Sequence, residues 1–213
     1  MLQDSRISIV VGPFDMAKSA DEDDDKAAAA SSAAQQAQAK DFVLLPPKFK
    51  CLSFDVQAQQ QSNWCWLAVA ASVDDFYESG TSATQCGLAN TMLGQSNCCS
   101  SPSSSTCNQP GDTSLALQQV GHFQSNTNGS MTFSQVKLEI GFAEDPIVVR
   151  IKWGSASVGH AVILAGYITD SEGEQWLLVK DPSGGTTALW TYDEFRTAYK
   201  GNGTWDITRR TKN

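Results

Sequence analysis

The stretch Gln57-Ala-Gln-Gln-Gln-Ser-Asn-Trp-Cys65-Trp-Leu-Ala-Val-Ala-Ala-Ser-Val-Asp-Asp-Phe-Tyr77 sets one cysteine at the mouth of an apolar run. Trp66, Val69, Ala70, Val73, Phe76 and Tyr77 recur at helical spacing with no Gly or Pro between them. That pattern predicts a buried helix of about three turns, capped by Ser62 or Asn63. Cys65 then falls in the first turn, where backbone N–H groups without partners and the helix dipole favour negative charge on sulfur. A sulfur so placed can attack a carbonyl. Gln59, six residues upstream, can fold back so that its amide and the Cys65 N–H share one oxyanion; Gln57, Gln60 and Gln61 compete for that role. The plain alternative is a small apolar cysteine in a buried helix.

A cysteine nucleophile needs a base, and the base needs a group to hold its ring. The chain has two histidines. His160 opens an apolar strand, and Asp181 ends the next one, just before Pro182 and the Gly184-Gly185 turn. Neighbouring antiparallel strands bring such residues side by side. His122 follows a helix stop with no acid close in sequence and is expected to be an ordinary surface or half-buried histidine. Cys86, Cys98, Cys99 and Cys107 crowd one loop-rich stretch, with Cys51 apart. They suggest one or two local disulfides or buried thiols, of undetermined pairing. Zinc is the rival use, but adjacent Cys98-Cys99 lacks the usual ligand spacing. No metal or cofactor is expected. Trp64, Trp153 and Trp190 are candidates for lining a cleft.

These residues need a frame. With 213 residues, 41% hydrophobic, the chain can bury one good core. A net charge of -8 argues against nucleic acid or an anionic membrane, leaving a protein or peptide partner. No apolar run approaches the roughly 20 residues of a membrane helix, and the N-terminus lacks the pattern of a signal peptide. Residues 1–41 read as an extension: a strand candidate at Ile7–Val11, the acid run Asp21–Asp25, then an Ala/Ser/Gln tract. It is a linker, or else a pro-segment or delivery tail. From 42 to 213 a folded domain is expected. Its first half is helical after a strand at Leu52–Val56, with further helices at Thr84–Leu93, Ser114–Gly121 and Phe133–Ile140 and a loop at Ser96–Pro110. Its second half is strand-rich: Pro146–Trp153, His160–Ile168, Gln175–Lys180 and Thr186–Thr191, a small helix at Asp193–Tyr199, and a strand at Trp205–Thr208. That is an α+β domain, with a cleft expected at the seam.

Gln59-x5-Cys65-Trp66, then Gly159-His160-Ala-Val, then Val179-Lys-Asp181-Pro182 resembles the papain-like cysteine proteases in its order of glutamine, cysteine, histidine and Asn/Asp. Ser-Asn-Trp-Cys-Trp before an Ala-rich helix, with the later Cys86…Cys98-Cys99…Cys107-Asn-x-Pro cluster, is similar to a bacterial branch that includes avirulence proteases of plant pathogens and toxins used between bacteria. The usual Cys-Gly-Ser/Ala-Cys-Trp is replaced by Ser62-Asn63-Trp64-Cys65, so a disulfide beside the nucleophile is missing, and Asp181 stands where Asn is common. The resemblance implies a papain-like fold, with a helical lobe carrying the nucleophile and an antiparallel sheet lobe across a cleft. It implies a cysteine endopeptidase in which Cys65 attacks, His160 transfers the proton, Asp181 orients the ring and Gln59 helps hold the oxyanion. A glutamine deamidase or other amidase, or an inactive binding module on the same scaffold, are the alternatives. The implied context is a secreted effector or toxin, exported without a cleavable signal and processing its own N-terminus. Its partners would be a protein substrate and an immunity or inhibitor protein.

Overall fold

The computed structural model describes residues 46–78, 83–156 and 159–213. The expected strand at Ile7–Val11 and the extension 1–41 lie outside them.

Helix α1, Cys65–Tyr77, is buried continuously from Trp66 to Asp74. Ala68, Ala70 and Ala71 let it sit that deep, because a helix studded with small side chains can approach its neighbours closely. Around it lie α2, Gln85–Leu93, and α3, Thr113–Gln119. Thr84 caps α2 by accepting the Gly87 N–H, and Asp112 caps α3 by accepting the Ser114 N–H. Gly94, at φ 63°, ends α2 in the left-handed conformation that glycine adopts at least cost. The expected cap of α1 is not made: Trp64 holds the N-cap position, with no side-chain bond. Ser62 and Asn63 are engaged instead by Asn108, through the Ser62 Oγ, the Asn63 N–H and the Asn63 amide.

The sheet runs in the order β2-β7-β3-β4-β5-β6, built from Phe123–Asn128 (β2), Ile147–Trp153 (β3), His160–Thr169 (β4), Gln175–Asp181 (β5), Thr186–Thr191 (β6) and Gly203–Thr211 (β7). A short β1, Phe49–Cys51, pairs with Gly166–Ile168 where β3 leaves off. All of these strand pairings are antiparallel. A strand is absent at Leu52–Val56: the Leu52 N–H makes one last bond to Ala165, and the chain then crosses to α1, where the Gln57 N–H donates to Ser72 Oγ. Strand β2 carries Gln-Ser-Asn-Thr-Asn and so gives no apolar alternation; its pairing with β7 makes it a strand. Between β2 and β3, helix α4 (Phe133–Leu138), opened by a Thr132/Gln135 capping box, widens into a single π turn at Glu139–Ala143. Helix α5, Tyr192–Ala198, joins β6 to β7.

Strands β3 and β4 explain why the core has two parts. Successive strand residues face opposite sides. Val148, Ala161 and Ile163 face α1, whereas Ile147, Val149, Ile151, Val162 and Leu164 face a second cluster with Phe133, Val136, Ile140, Phe195 and Trp205. Buried on both faces, β4 reads as a nearly unbroken apolar run from Ala161 to Ile168, while β3 does so from Ile147 to Val149 before Arg150 and Lys152 interrupt it. His160 is the first residue of β4, where the run meets the seam between the helical and sheet layers.

Candidate active site

Cys65 is the first residue of α1, half-buried and not in a disulfide. The Trp64 carbonyl receives the Leu67 and Ala68 N–H groups, which starts the helix one residue before the sulfur. His160 and Asp181 come together across β4 and β5, whose register sets Ile163 opposite Lys180. His160 Nε2 meets Asp181 Oδ1 at 2.6 Å. Cys65 lines the same cleft as His160, near enough to the imidazole to bear on its proton affinity. With Nε2 engaged by Asp181, Nδ1 is the ring nitrogen left to serve the sulfur. Burial alone would lower the proton affinity of His160, but the bond to Asp181, the nearby Cys65 and the charges of both outweigh this and raise its pKa from 6.5 to about 9.

Asp181 is nearly sealed from solvent, its side chain 3% exposed. It accepts from four donors: His160, the Ser183 N–H at 2.8 Å, the Tyr199 hydroxyl at 2.8 Å and Lys200 Nζ at 2.6 Å. Burial pushes its pKa up, yet the His160 bond and charge, Lys200 and the Ser183 N–H pull it well below the usual carboxylate range. The ring is thus held by an ionised group that is itself held on both oxygens.

Gln59 lines the same cleft as Cys65 and His160. Its backbone N–H donates to Pro182, tying the glutamine loop to the end of β5. Its side-chain Nε2 donates at 2.9 Å to the carbonyls of both Gln61 and Ser62, while its Oε1 is buried without a partner. A substrate oxygen could receive this amide only by sharing or replacing one of those carbonyls. Gln57 and Gln60 are drawn elsewhere: Gln85 donates to the Gln57 side chain, and the Gln60 N–H donates to Gln85.

The segment 107–109 grips the residues around the nucleophile. The Trp64 indole donates to the Cys107 carbonyl at 2.8 Å, the Trp66 indole to the Gln109 carbonyl at 3.1 Å, and Asn108 holds Ser62 and Asn63 through three bonds of 2.9–3.0 Å. Cys65 is the residue in the middle, on the cleft that His160 also lines. Disulfides Cys98–Cys107 and Cys86–Cys99 staple that segment to α2. Cys51 is free and exposed.

The cleft encloses about 790 Å³, a volume ordinary for a binding site. Trp66 and Trp153 line it. Trp64 is instead fully buried, and Trp190 packs on Tyr199 with ring centroids 4.7 Å apart. His122 is buried rather than surface or half-buried: it stacks on Tyr77, its Nδ1 meets the Lys212 carbonyl, and its Nε2 lies 3.3 Å from Asp74. Asp74 sits on α1, far off in sequence, which is why no paired acid is legible near His122. The contacts of Tyr199, Lys200 and Asn108 have no periodic signature; only the Cys107-Asn108-x-Pro110 motif marks one of them.

The sequence matches the model of the Peptidase_C39 like family over residues 51–213. Among curated proteins no match was found. Among solved structures the chain is similar to the proform of the Amb a 11 cysteine protease, a ragweed pollen allergen, with a TM-score of 0.50 at 12% identity, over 81% of this chain and 67% of that one. It is also similar to bromelain from Ananas comosus in complex with the E64 inhibitor, with a TM-score of 0.45 at 14% identity, over 78% of this chain and 100% of that one. A helical layer carrying the cysteine against an antiparallel sheet carrying the histidine is the papain-like arrangement. The chain has the papain-like cysteine protease fold and belongs to the Peptidase_C39 like family, and by that family it is a hydrolase acting on peptide bonds.

Proposed function

We propose that this peptidase is an endopeptidase acting on a protein substrate through Cys65, His160 and Asp181. What carries the reading is that Cys65 and His160 line one cleft, with Asp181 bonded behind the ring. The Cys65 sulfur, as thiolate, attacks the scissile carbonyl carbon. The electron pair moves onto oxygen, where the Cys65 N–H and one hydrogen of the Gln59 amide receive it. As the tetrahedral centre collapses, His160 gives its Nδ1 proton to the leaving amine and a thioester remains. Water, deprotonated by His160, then attacks the thioester; the acid departs and the thiolate–imidazolium pair returns. Asp181 keeps its charge throughout and fixes the ring.

The proposed context is a secreted effector or toxin of bacterial type, exported without a cleavable signal and removing its own extension, residues 1–41, from a peptidase domain spanning 42–213. The sequence resemblance supports it, as do two disulfides, which persist outside reducing cytosol. Incubating wild type and Cys65→Ala with fluorescent casein, then sequencing the new termini, tests the mechanism. Wild type should cut backbone and Cys65→Ala should not. Comparable cleavage by Cys65→Ala overturns it, and an intact substrate carrying only deamidated glutamines favours the amidase alternative.

A further inference from the structure

Resting on that mechanism, one neighbour of the carboxylate stands out. Lys200 lies between α5 and β7 with φ 48°, a left-handed conformation uncommon for a side chain of its size, followed by Gly201 at φ 99°. Strained backbone of this kind tends to persist where the side chain is needed. Its side chain is 45% exposed, yet Nζ reaches back to within 2.6 Å of Asp181 Oδ2, the oxygen that the Tyr199 hydroxyl also contacts. His160 occupies the other oxygen. One buried carboxylate therefore serves two cations.

We propose that Lys200 is a positioning residue of the peptidase site: by sharing Asp181 with His160 it draws off part of the carboxylate's charge and keeps the imidazolium acidic enough to protonate the leaving amine. Four titratable groups meet at the ring or behind it: Cys65 from α1, His160 itself, Asp181 from β5 and Lys200 from the turn. The Arg150–Asp206 and Arg209–Asp112 pairs on the cleft wall each carry their own counter-charge. Lys180, next to Asp181 in sequence, lies over the Phe54 ring instead. Lys200 is thus the one cation besides His160 that bonds Asp181 among the described residues.

Removing the ammonium should leave His160 as the one cation on the carboxylate, with only the neutral Tyr199 and Ser183 donors beside it, and make the imidazolium a weaker acid. In Lys200→Met the alkaline limb of kcat/KM should rise by roughly half to one pH unit. Turnover of a peptide amide should fall roughly threefold relative to the matching ester, whose leaving group depends less on protonation. Lys200→Gly removes the same charge while relaxing the backbone, so it should show the same kinetics in a more stable protein. Lys200→Arg should behave as wild type. An unmoved limb and amide-to-ester ratio in both the Met and Gly variants overturns the proposal, as does an Arg variant shifted as far as Met. If turnover is absent altogether, the peptidase mechanism is at fault rather than Lys200. NMR titration of His160 in Cys65→Ala, with and without Lys200→Met, then decides: a higher midpoint without the lysine supports the proposal, and an unchanged one refutes it.

Discussion

Asp181→Asn, made in a Cys65→Ala background so that self-cleavage cannot intrude, isolates what the carboxylate does for the imidazole. His160 is largely buried, its side chain 13% exposed, so a large electrostatic effect there escapes most solvent screening. A ring whose pKa rises from 6.5 to about 9 holds its proton more tightly in the folded protein by about 3 kcal/mol, to order of magnitude. Because the folded value lies above the unfolded one, that stabilisation is complete below pH 6.5 and fades as pH rises through 9. The depressed pKa of Asp181 counts the same pair from its other member, so the two are not added. With Cys65 gone, Asp181 keeps the larger share, roughly 2 kcal/mol. Urea melts at pH 6 and pH 10 should therefore show Cys65→Ala losing roughly 2 kcal/mol more between those conditions than Cys65→Ala/Asp181→Asn. Setting an amide against Lys200 and Tyr199 adds a cost at both pH values, which the difference between them cancels. Parallel stability losses in the two proteins would refute the claim that this carboxylate holds the proton on His160.

Asn108→Ala removes the two side-chain bonds, to the Asn63 N–H and the Ser62 Oγ, and keeps the carbonyl bond to the Asn63 amide, so kcat should fall several-fold with KM little changed, since the nucleophile's aim and not substrate contact is lost; steady-state kinetics on one peptide reads the split, and Asn108→Asp should recover most of the loss because its carboxylate still accepts the Asn63 N–H and can accept the Ser62 hydroxyl. Cys98→Ser/Cys107→Ser opens a loop with nine residues of sequence separation and should cost about 2–3 kcal/mol by urea unfolding, together with slower alkylation of Cys65 by a thiol-directed epoxide as Trp64 loses its anchor on Cys107.

Where the chain's own periodicity is strong, the sequence reads true. Trp66 through Tyr77 is a helix because its apolar spacing matches a face buried against Val148, Ala161 and Ile163, and Thr186–Thr191 is a strand with the expected bounds. Where tertiary contacts override local pattern, it does not. Leu52–Val56 alternates well enough for a strand, but β1 can pair with β4 only as far as Gly166, because from Leu164 onward that edge of β4 is taken by β3. Strand β2 has the opposite fault: its five polar residues alternate with nothing, and β7 supplies the missing partner. Ser62 and Asn63 are good caps by type, but a helix start gains nothing from side chains already spent on Asn108.

The same division runs through the site. Cys65, His160 and Asp181 are legible because each stands at an element end, and element ends can be located from apolar runs. The donors around Asp181 are not equally so. Ser183 is two residues away and follows from the local turn before Gly184-Gly185. Tyr199, Lys200 and His160 lie 18, 19 and 21 residues away. His160 is reachable by reasoning because β4 and β5 form consecutive antiparallel strands whose register follows from their apolar residues. Tyr199 and Lys200 arrive only after the chain has run out along β6 and returned through α5, and no periodicity in the intervening residues fixes how far that return penetrates. A polar side chain closing such a return adds nothing to the hydrophobic pattern, so its importance shows only when the carboxylate it meets is seen to be buried, ionised and shared.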